Sequence, residues 1–235
     1  MTRHALISGA RRGIGAAVAM HFLRDGWKVS VGLRPGSAPD WLDQVAAYRD
    51  RLHIAEYEAL DPGSADAWVA AAQAHGGPVD TIIASAGVMI PGGVIASGDD
   101  DLQTMFEINV QAPRRLAKAA WADLAAHGAG RIVLLSSLSG KRVKSVKSGG
   151  YSVTKFATTA LAHALRHEGF ADGIRATAVC PGFVATDMAM VLTDRAPELM
   201  TDPADLARII AMLVSLPNEA SVAEFAINCQ IEESF

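Results

Sequence analysis

Short apolar runs alternate with longer stretches of helical period along the whole chain. Ala5-Leu6-Ile7 is apolar throughout and stops at Gly9, and residues 13–24 then carry apolar side chains at helical spacing. Residues 28–33 read as a second strand, 38–48 as a short helix, 53–57 as a third strand and 64–74 as an Ala-rich helix. A fully apolar strand follows at 79–84, then one long helix over 99–127, bent near Pro113. The second half continues with strands at 131–135, 174–179 and 222–229 and helices at 152–168 and 203–215. The central strands are apolar without alternation, as strands covered on both faces are. The pattern therefore predicts an α/β, doubly wound, Rossmann-like fold, with a parallel sheet of about seven strands between two helical layers. No repeat, low-complexity tract or linker interrupts it, so residues 1–235 are expected to form a single domain.

Charge narrows the partners. The 21 basic and 25 acidic residues leave a net charge of −4, without the basic excess that nucleic acid binding requires. The uncharged stretch 81–98 contains Pro91 and four glycines, which break the ladder that a spanning helix needs. The first residues hold only three apolar side chains before Ser8, too few for a secretion signal. Two separated cysteines, Cys180 and Cys229, fit a reducing compartment. A cytoplasmic protein is expected, with neither nucleic acid nor membrane as partner.

The chemistry begins after the first strand, at Ser8-Gly9-Ala10-Arg11-Arg12-Gly13-Ile14-Gly15. Glycines let a backbone turn sharply against a pyrophosphate, and the following helix N-terminus stabilises the anion. An ordinary Gly-rich turn is the alternative, because the spacing is not the usual Gly-x-Gly-x-x-Gly. At the end of the second strand, where NAD sites place an acid for the ribose diol, stand Leu33 and Arg34. Arg12 and Arg34, with Arg11 beside them, suit a 2′-phosphate and so NADP(H) over NAD(H). They are otherwise a solvated surface cluster.

Tyr151 and Lys155 stand at i and i+4, on one helix face. A cation beside a phenol favours the phenolate, which makes proton transfer to a carbonyl or from an alcohol accessible near neutral pH. Such a spacing also recurs by accident on exposed helices. Ser136-Ser137-Leu138-Ser139-Gly140 follows a strand directly, at the ligand-facing end of a parallel sheet.

Together these elements resemble the short-chain dehydrogenase/reductase family, in order and over nearly the whole chain. The resemblance implies that Tyr151 is the general acid/base and that Lys155 lowers its pKa and binds the nicotinamide ribose. It implies that Ser137 holds the substrate carbonyl and that Asn109 anchors a water leading from Lys155 to solvent. A polar helix residue bonded to a neighbouring carbonyl is the plainer reading of Asn109. Asp61 matches the acid that meets the adenine. Pro181, Gly182, Val184 and Thr186 match the segment against the nicotinamide carboxamide. The implied activity is interconversion of a small-molecule carbonyl compound and a secondary alcohol with NADP(H), in a homodimer or homotetramer built on Ala-rich helices. No metal is implied. A non-catalytic NADP(H)-binding regulator on the same fold is the alternative.

Three departures stand out. Ser85-Ala86-Gly87 replaces the family's Asn-Ala-Gly. The interval from Ser137 to Tyr151 is one residue longer than in common members, which leaves Ser136 and Ser139 as alternatives to Ser137. The usual Gly-rich C-terminal ending is missing. The lengthened interval holds four cations within residues 141–147, which read either as a solvated loop or as a guide for an anionic substrate. Phe183, Met89, Ile90, Met188, Met190 and Val191 are expected at the substrate pocket, or the methionines fill core.

Overall fold

The alternation folds into strands β1 (His4–Ser8), β2 (Lys28–Leu33), β3 (Leu52–Glu56), β4 (Thr81–Ala84), β5 (Arg131–Leu135), β6 (Arg175–Pro181) and β7 (Glu224–Ile227). Between them run helices α1 (Gly13–Arg24), α2 (Ser64–Gly76), α3 (Asp99–Phe106), α4 (Ala112–Ala119), α5 (Trp121–His127), α6 (Gly149–Glu168), α7 (Asp187–Leu192) and α8 (Pro203–Ser215). The structure is a computed structural model that describes residues 2–231. Met1 and residues 232–235, which the sequence reading included in its domain, lie outside the described residues. All strand pairs are parallel, and the sheet order is β3-β2-β1-β4-β5-β6-β7.

Strands β1, β4, β5 and β6 are buried along their whole length, which is why they show no alternation. One face packs Ile7, Val31 and Val133 against Phe22 and Leu23 of α1 and Ile210 and Leu213 of α8. The other packs Leu6, Ile82 and Leu134 against Trp68, Leu116, Leu124 and Leu165. Strand order reverses between β1 and β4, so their C-terminal ends open a crevice at the switch point.

The structure corrects the predicted elements where tertiary bonds override local pattern. The predicted helix over 38–48 is a 3₁₀ segment, Leu42–Arg51, broken at Val45 and Tyr48. Its approach is pinned instead: the Trp41 indole donates to Ala10 O at 2.7 Å and Asp40 N to Arg11 O at 3.2 Å. The long helix over 99–127 is three helices. A π turn, Glu107–Gln111, precedes Pro113, and Ala120 leaves helical geometry. Helix α6 starts three residues before the predicted 152, and the sequence pattern missed α7. On α6 the apolar positions Phe156, Ala160 and Ala164 face solvent, while Thr158, Thr159 and Ala162 face inward.

Three histidines, at the starts of β1 and β3 and in the last turn of α2, lie near one another. His4 is 2% exposed, and its Nδ1 lies 2.9 Å from Gly77 O while its Nε2 is buried without a partner among the described residues. Burial pulls the His4 pKa below its usual 6.5, against weaker opposite pulls from Gly77 and Asp80. His53 stacks on His75 at 4.9 Å, and its pKa is lowered by burial and then by His75 and His4. A group whose folded pKa is depressed in this sense keeps its full stabilising contribution above 6.5. That contribution is lost as the pH falls toward the folded value. Urea unfolding should therefore show a lower midpoint at a pH of about 5 than at about 7.5. His4→Gln should shrink that difference, and an equal acid loss in both proteins would exclude His4 as its source.

Candidate active site

The crevice is lined first by the turn after β1. Gly9 holds φ +67°, and a Cβ there would sit 2.6 Å from Ala86 N, so only glycine lets the β1 and β4 turns touch. Ser8 Oγ accepts from that same Ala86 N at 3.2 Å. Gly13 also has positive φ, and a Cβ on it would meet the Thr186 side chain at 3.2 Å. Gly15 is buried and Ile14 half-buried at the start of α1. No side chain caps α1, so its first N–H groups are left to an anion in the crevice. This Cβ-free cradle and uncapped helix fit a dinucleotide pyrophosphate.

Helix α6 brings the polar cluster beside this cradle. Lys155 is 5% exposed, its ammonium donates to Leu135 O at 2.7 Å, and it stands 5.6 Å from the centre of the Tyr151 ring. Burial lowers its pKa to about 8, with the nearby Cys180 thiol acting slightly the other way. Tyr151 differs from the sequence expectation: burial raises its phenol to about 12, opposed by a hydrogen bond with Ser137. Desolvation of the phenolate outweighs the help from Ser137. The three serines separate clearly. Ser136 Oγ donates to Lys155 O at 3.0 Å and lies 2.8 Å from Thr159 Oγ1, facing the helix backbone. Ser139 uses its backbone N to donate to Ser137 Oγ at 3.1 Å. Only Ser137, held extended at the head of the 3₁₀ turn Leu138–Gly140, meets the phenol.

Asn109 sits in the π turn, 1% exposed. Its side chain accepts from Val88 N and donates to Val88 O, both at 2.9 Å, and donates to Thr154 Oγ1 at 3.0 Å. Pro113 has no N–H for Asn109 O, the bond an α-helix would make. Thr158 Oγ1 donates to that carbonyl instead, at 2.9 Å. Asn109 thus ties the β4 loop to α6, and Gly87 fits between: a Cβ there would lie 3.3 Å from Asn109 Oδ1 and 3.5 Å from Lys155 Nζ. Thr154 and Thr158 were missed from sequence. Their signal was two hydroxyls at i and i+4 on the face that carries Lys155.

The remaining residues spread along the crevice. Ser85 N donates to Ile83 O at 3.2 Å, and Pro181, the last residue of β6, and Val184 beyond it are buried. Gly182 N donates to Ile227 O at 2.8 Å, and Thr186 Oγ1 to Val184 O at 3.2 Å. Asp61 is exposed, and its Oδ1 accepts from Gly63 N at 2.9 Å, closing the turn before α2. The arginines are exposed but not idle. Arg11 lies 3.5 Å from Asp40, and Arg12 pairs with Asp187 at the start of α7, a partner no sequence motif announced. Arg34 is exposed just after the buried Leu33.

A family model described as short chain dehydrogenase matches residues 3–197. An agropine synthesis reductase of Rhizobium rhizogenes is 33% identical over 97% of this chain and 52% of its own length. The chain thus spans about half the length of that relative. The oxidoreductase UcpA of Escherichia coli K12 is 30% identical over 90% of this chain and 87% of its own. An alcohol dehydrogenase from Thermococcus sibiricus, solved with 5-hydroxy-NADP, superposes with a TM-score of 0.87 at 25% identity, covering both chains fully.

The Asn109 ties give a prediction about the site's frame. Asn109→Ala strips both backbone groups of Val88 of their partner and should cost roughly 1–3 kcal/mol in urea unfolding. An unchanged midpoint would show that the β4 loop is held by other contacts.

Proposed function

The chain belongs to the short chain dehydrogenase family, and from that premise we propose an NADP(H)-dependent oxidoreductase that interconverts a carbonyl compound and a secondary alcohol. One observation carries this reading: Tyr151, Lys155 and Ser137 converge at the switch-point crevice beside the cradle of Gly9, Gly13 and Gly15. We read the chain as a single cofactor-binding catalytic domain in the cytoplasm. Among the described residues no helix is long and apolar enough to cross a membrane, and both cysteines are free.

NADP(H), when bound, supplies or takes up the hydride. The proton is the protein's task. In the reducing direction the Tyr151 hydroxyl gives its proton to the carbonyl oxygen as negative charge builds there. A phenol held near 12 keeps that proton at neutral pH, which suits a donor. Ser137 Oγ donates a second hydrogen bond to the same oxygen. In the oxidising direction the Lys155 ammonium favours the Tyr151 phenolate that takes up the alcohol proton. Asn109 keeps the β4 loop and α6 in register around these groups. Pro181, Gly182, Val184 and Thr186 would border the nicotinamide, Ser85, Ala86 and Gly87 the ribose side, and Asp61 the adenine.

The cofactor choice rests on the end of β2. Leu33 is buried and offers no acceptor to a ribose diol, while Arg34 follows it and Arg12 stands on the phosphate turn. Both guanidinium groups are accessible to a 2′-phosphate, and the solved relative with an NADP analogue is consistent with that choice. A homodimer or homotetramer completes the reading. Phe106 of α3 and Val153 of α6 are exposed along one groove that a second copy would cover.

Two experiments test this function. Tyr151→Phe keeps the ring and removes the proton, so turnover should fall by about 10²–10⁴ while NADPH affinity holds. A variant keeping more than half the activity would exclude Tyr151 as the proton donor. Arg12→Ala with Arg34→Ala removes two charge-assisted contacts, each worth roughly 1.5–3 kcal/mol. Calorimetry should show NADPH binding weakened on the order of 10²-fold with NADH little changed. Equal losses would refute the 2′-phosphate assignment.

A further inference from the structure

The large apolar side chains that this chain leaves in water are not scattered. Of the sixteen exposed among the described residues, eight lie on three short segments, 88–98, 141–148 and 187–192. These segments leave the C-terminal ends of β4, β5 and β6, which are neighbours in the sheet. Ile95 is 97% exposed, Val146 78% and Val191 83%, with Val94, Val143 and Met188 beside them in sequence. Single exposed apolar residues need no explanation, but a concentrated set does.

Two of the segments pack on each other at the entrance. Gly92 N donates to Lys147 O at 2.9 Å, and a Cβ on Gly93 would meet Val146 at 3.1 Å. Val94 lies over Gly149, where a Cβ would be 2.8 Å away, and Gly149 is two residues before Tyr151. The apolar rim is therefore continuous with the proton-transfer site. The third segment approaches from the cradle side, since Arg12 pairs with Asp187 and Thr186 touches Gly13. The basic run is not wholly given to this mouth. Its first cation, Lys141, donates to Glu224 on β7 at 2.5 Å, and the other Glu224 oxygen is 2.6 Å from His163 on α6.

Resting on the oxidoreductase reading above, we propose that the substrate carries an apolar body beyond its reacting carbon and seats that body on the Val94, Ile95, Val143, Val146, Met188 and Val191 rim. Water leaves both surfaces on seating, which draws the substrate in and dries the proton-transfer step. The carbonyl then enters toward Ser137 and Tyr151 while the chain stays at the rim. A compact charged acid would leave the rim in water.

The test uses straight-chain methyl ketones from butanone to decanone and, beside them, an α-keto acid matched in length to the shortest ketone. Dissociation constants for the enzyme with NADP⁺ and kcat/KM with NADPH are both measured. A methylene fully buried is worth about fourfold in affinity, so binding should tighten between about twofold and fourfold per carbon until the rim is covered. Ile95→Ser with Val146→Ser, both on exposed positions where folding is not at stake, should flatten that slope. Binding that stays flat with length, or fails altogether, or a preference for the keto acid, overturns the proposal while any turnover leaves the oxidoreductase reading intact. Affinity that climbs with length without NADPH consumption upholds the apolar seat and sinks the oxidoreductase reading instead. A double variant that keeps the slope but loses self-association would assign the rim to a second copy of the chain and overturn the substrate proposal.

Discussion

Everything at the crevice is arranged around one buried ammonium. Lys155 is almost wholly removed from water, and a buried cation is tolerated only with partners and at a cost in pKa. Leu135 O, at the end of β5, accepts from its ammonium, so the last residue of a central strand fixes where the charge sits. Its own carbonyl accepts from Ser136 Oγ and Thr159 Oγ1, and Gly140 packs so close that a Cβ would lie 2.6 Å from that oxygen. Strand end, serine turn and helix are locked to one another through this residue. The phenol of Tyr151, one helical turn earlier, inherits its place from the same lock.

The second constraint is the helix that faces α6. Pro113 removes an N–H, the chain widens into a π turn, and Asn109 is left with a carbonyl and an amide to satisfy. Thr158, Thr154 and Val88 meet all of these needs. A local defect in one helix is thus converted into a brace between the β4 loop and α6, on either side of the polar cluster. Buried polar networks hold geometry only when every member is satisfied, and this one is.

The same crevice is polar at its base and apolar at its mouth. Lys155 is buried and Lys141 is paired with Glu224, while valine, isoleucine and methionine stand outward on the loops after β4, β5 and β6. On the oxidoreductase reading proposed above, such loops would shield the proton-transfer step from water without disturbing the sheet.

The sheet and its helices were legible in the sequence because their signals are local. Apolar runs such as Thr81–Ala84 and Arg131–Leu135 appear as strands, and the glycines from Gly9 to Gly15 mark the turn after the first strand. The Tyr151 and Lys155 pair follows from helical period alone. What sequence by itself determined, then, was the fold class, the family and which residue types meet. Tertiary structure decided the rest, because those outcomes depend on partners far along the chain. Ser137 rather than Ser136 or Ser139 meets the phenol because Ser136 is taken by α6. The 99–127 segment breaks because Asn109 bonds Val88 and Thr158 as well as losing a partner at Pro113. The phenol of Tyr151 stays protonated because burial, which no spacing encodes, outweighs its hydrogen bond with Ser137.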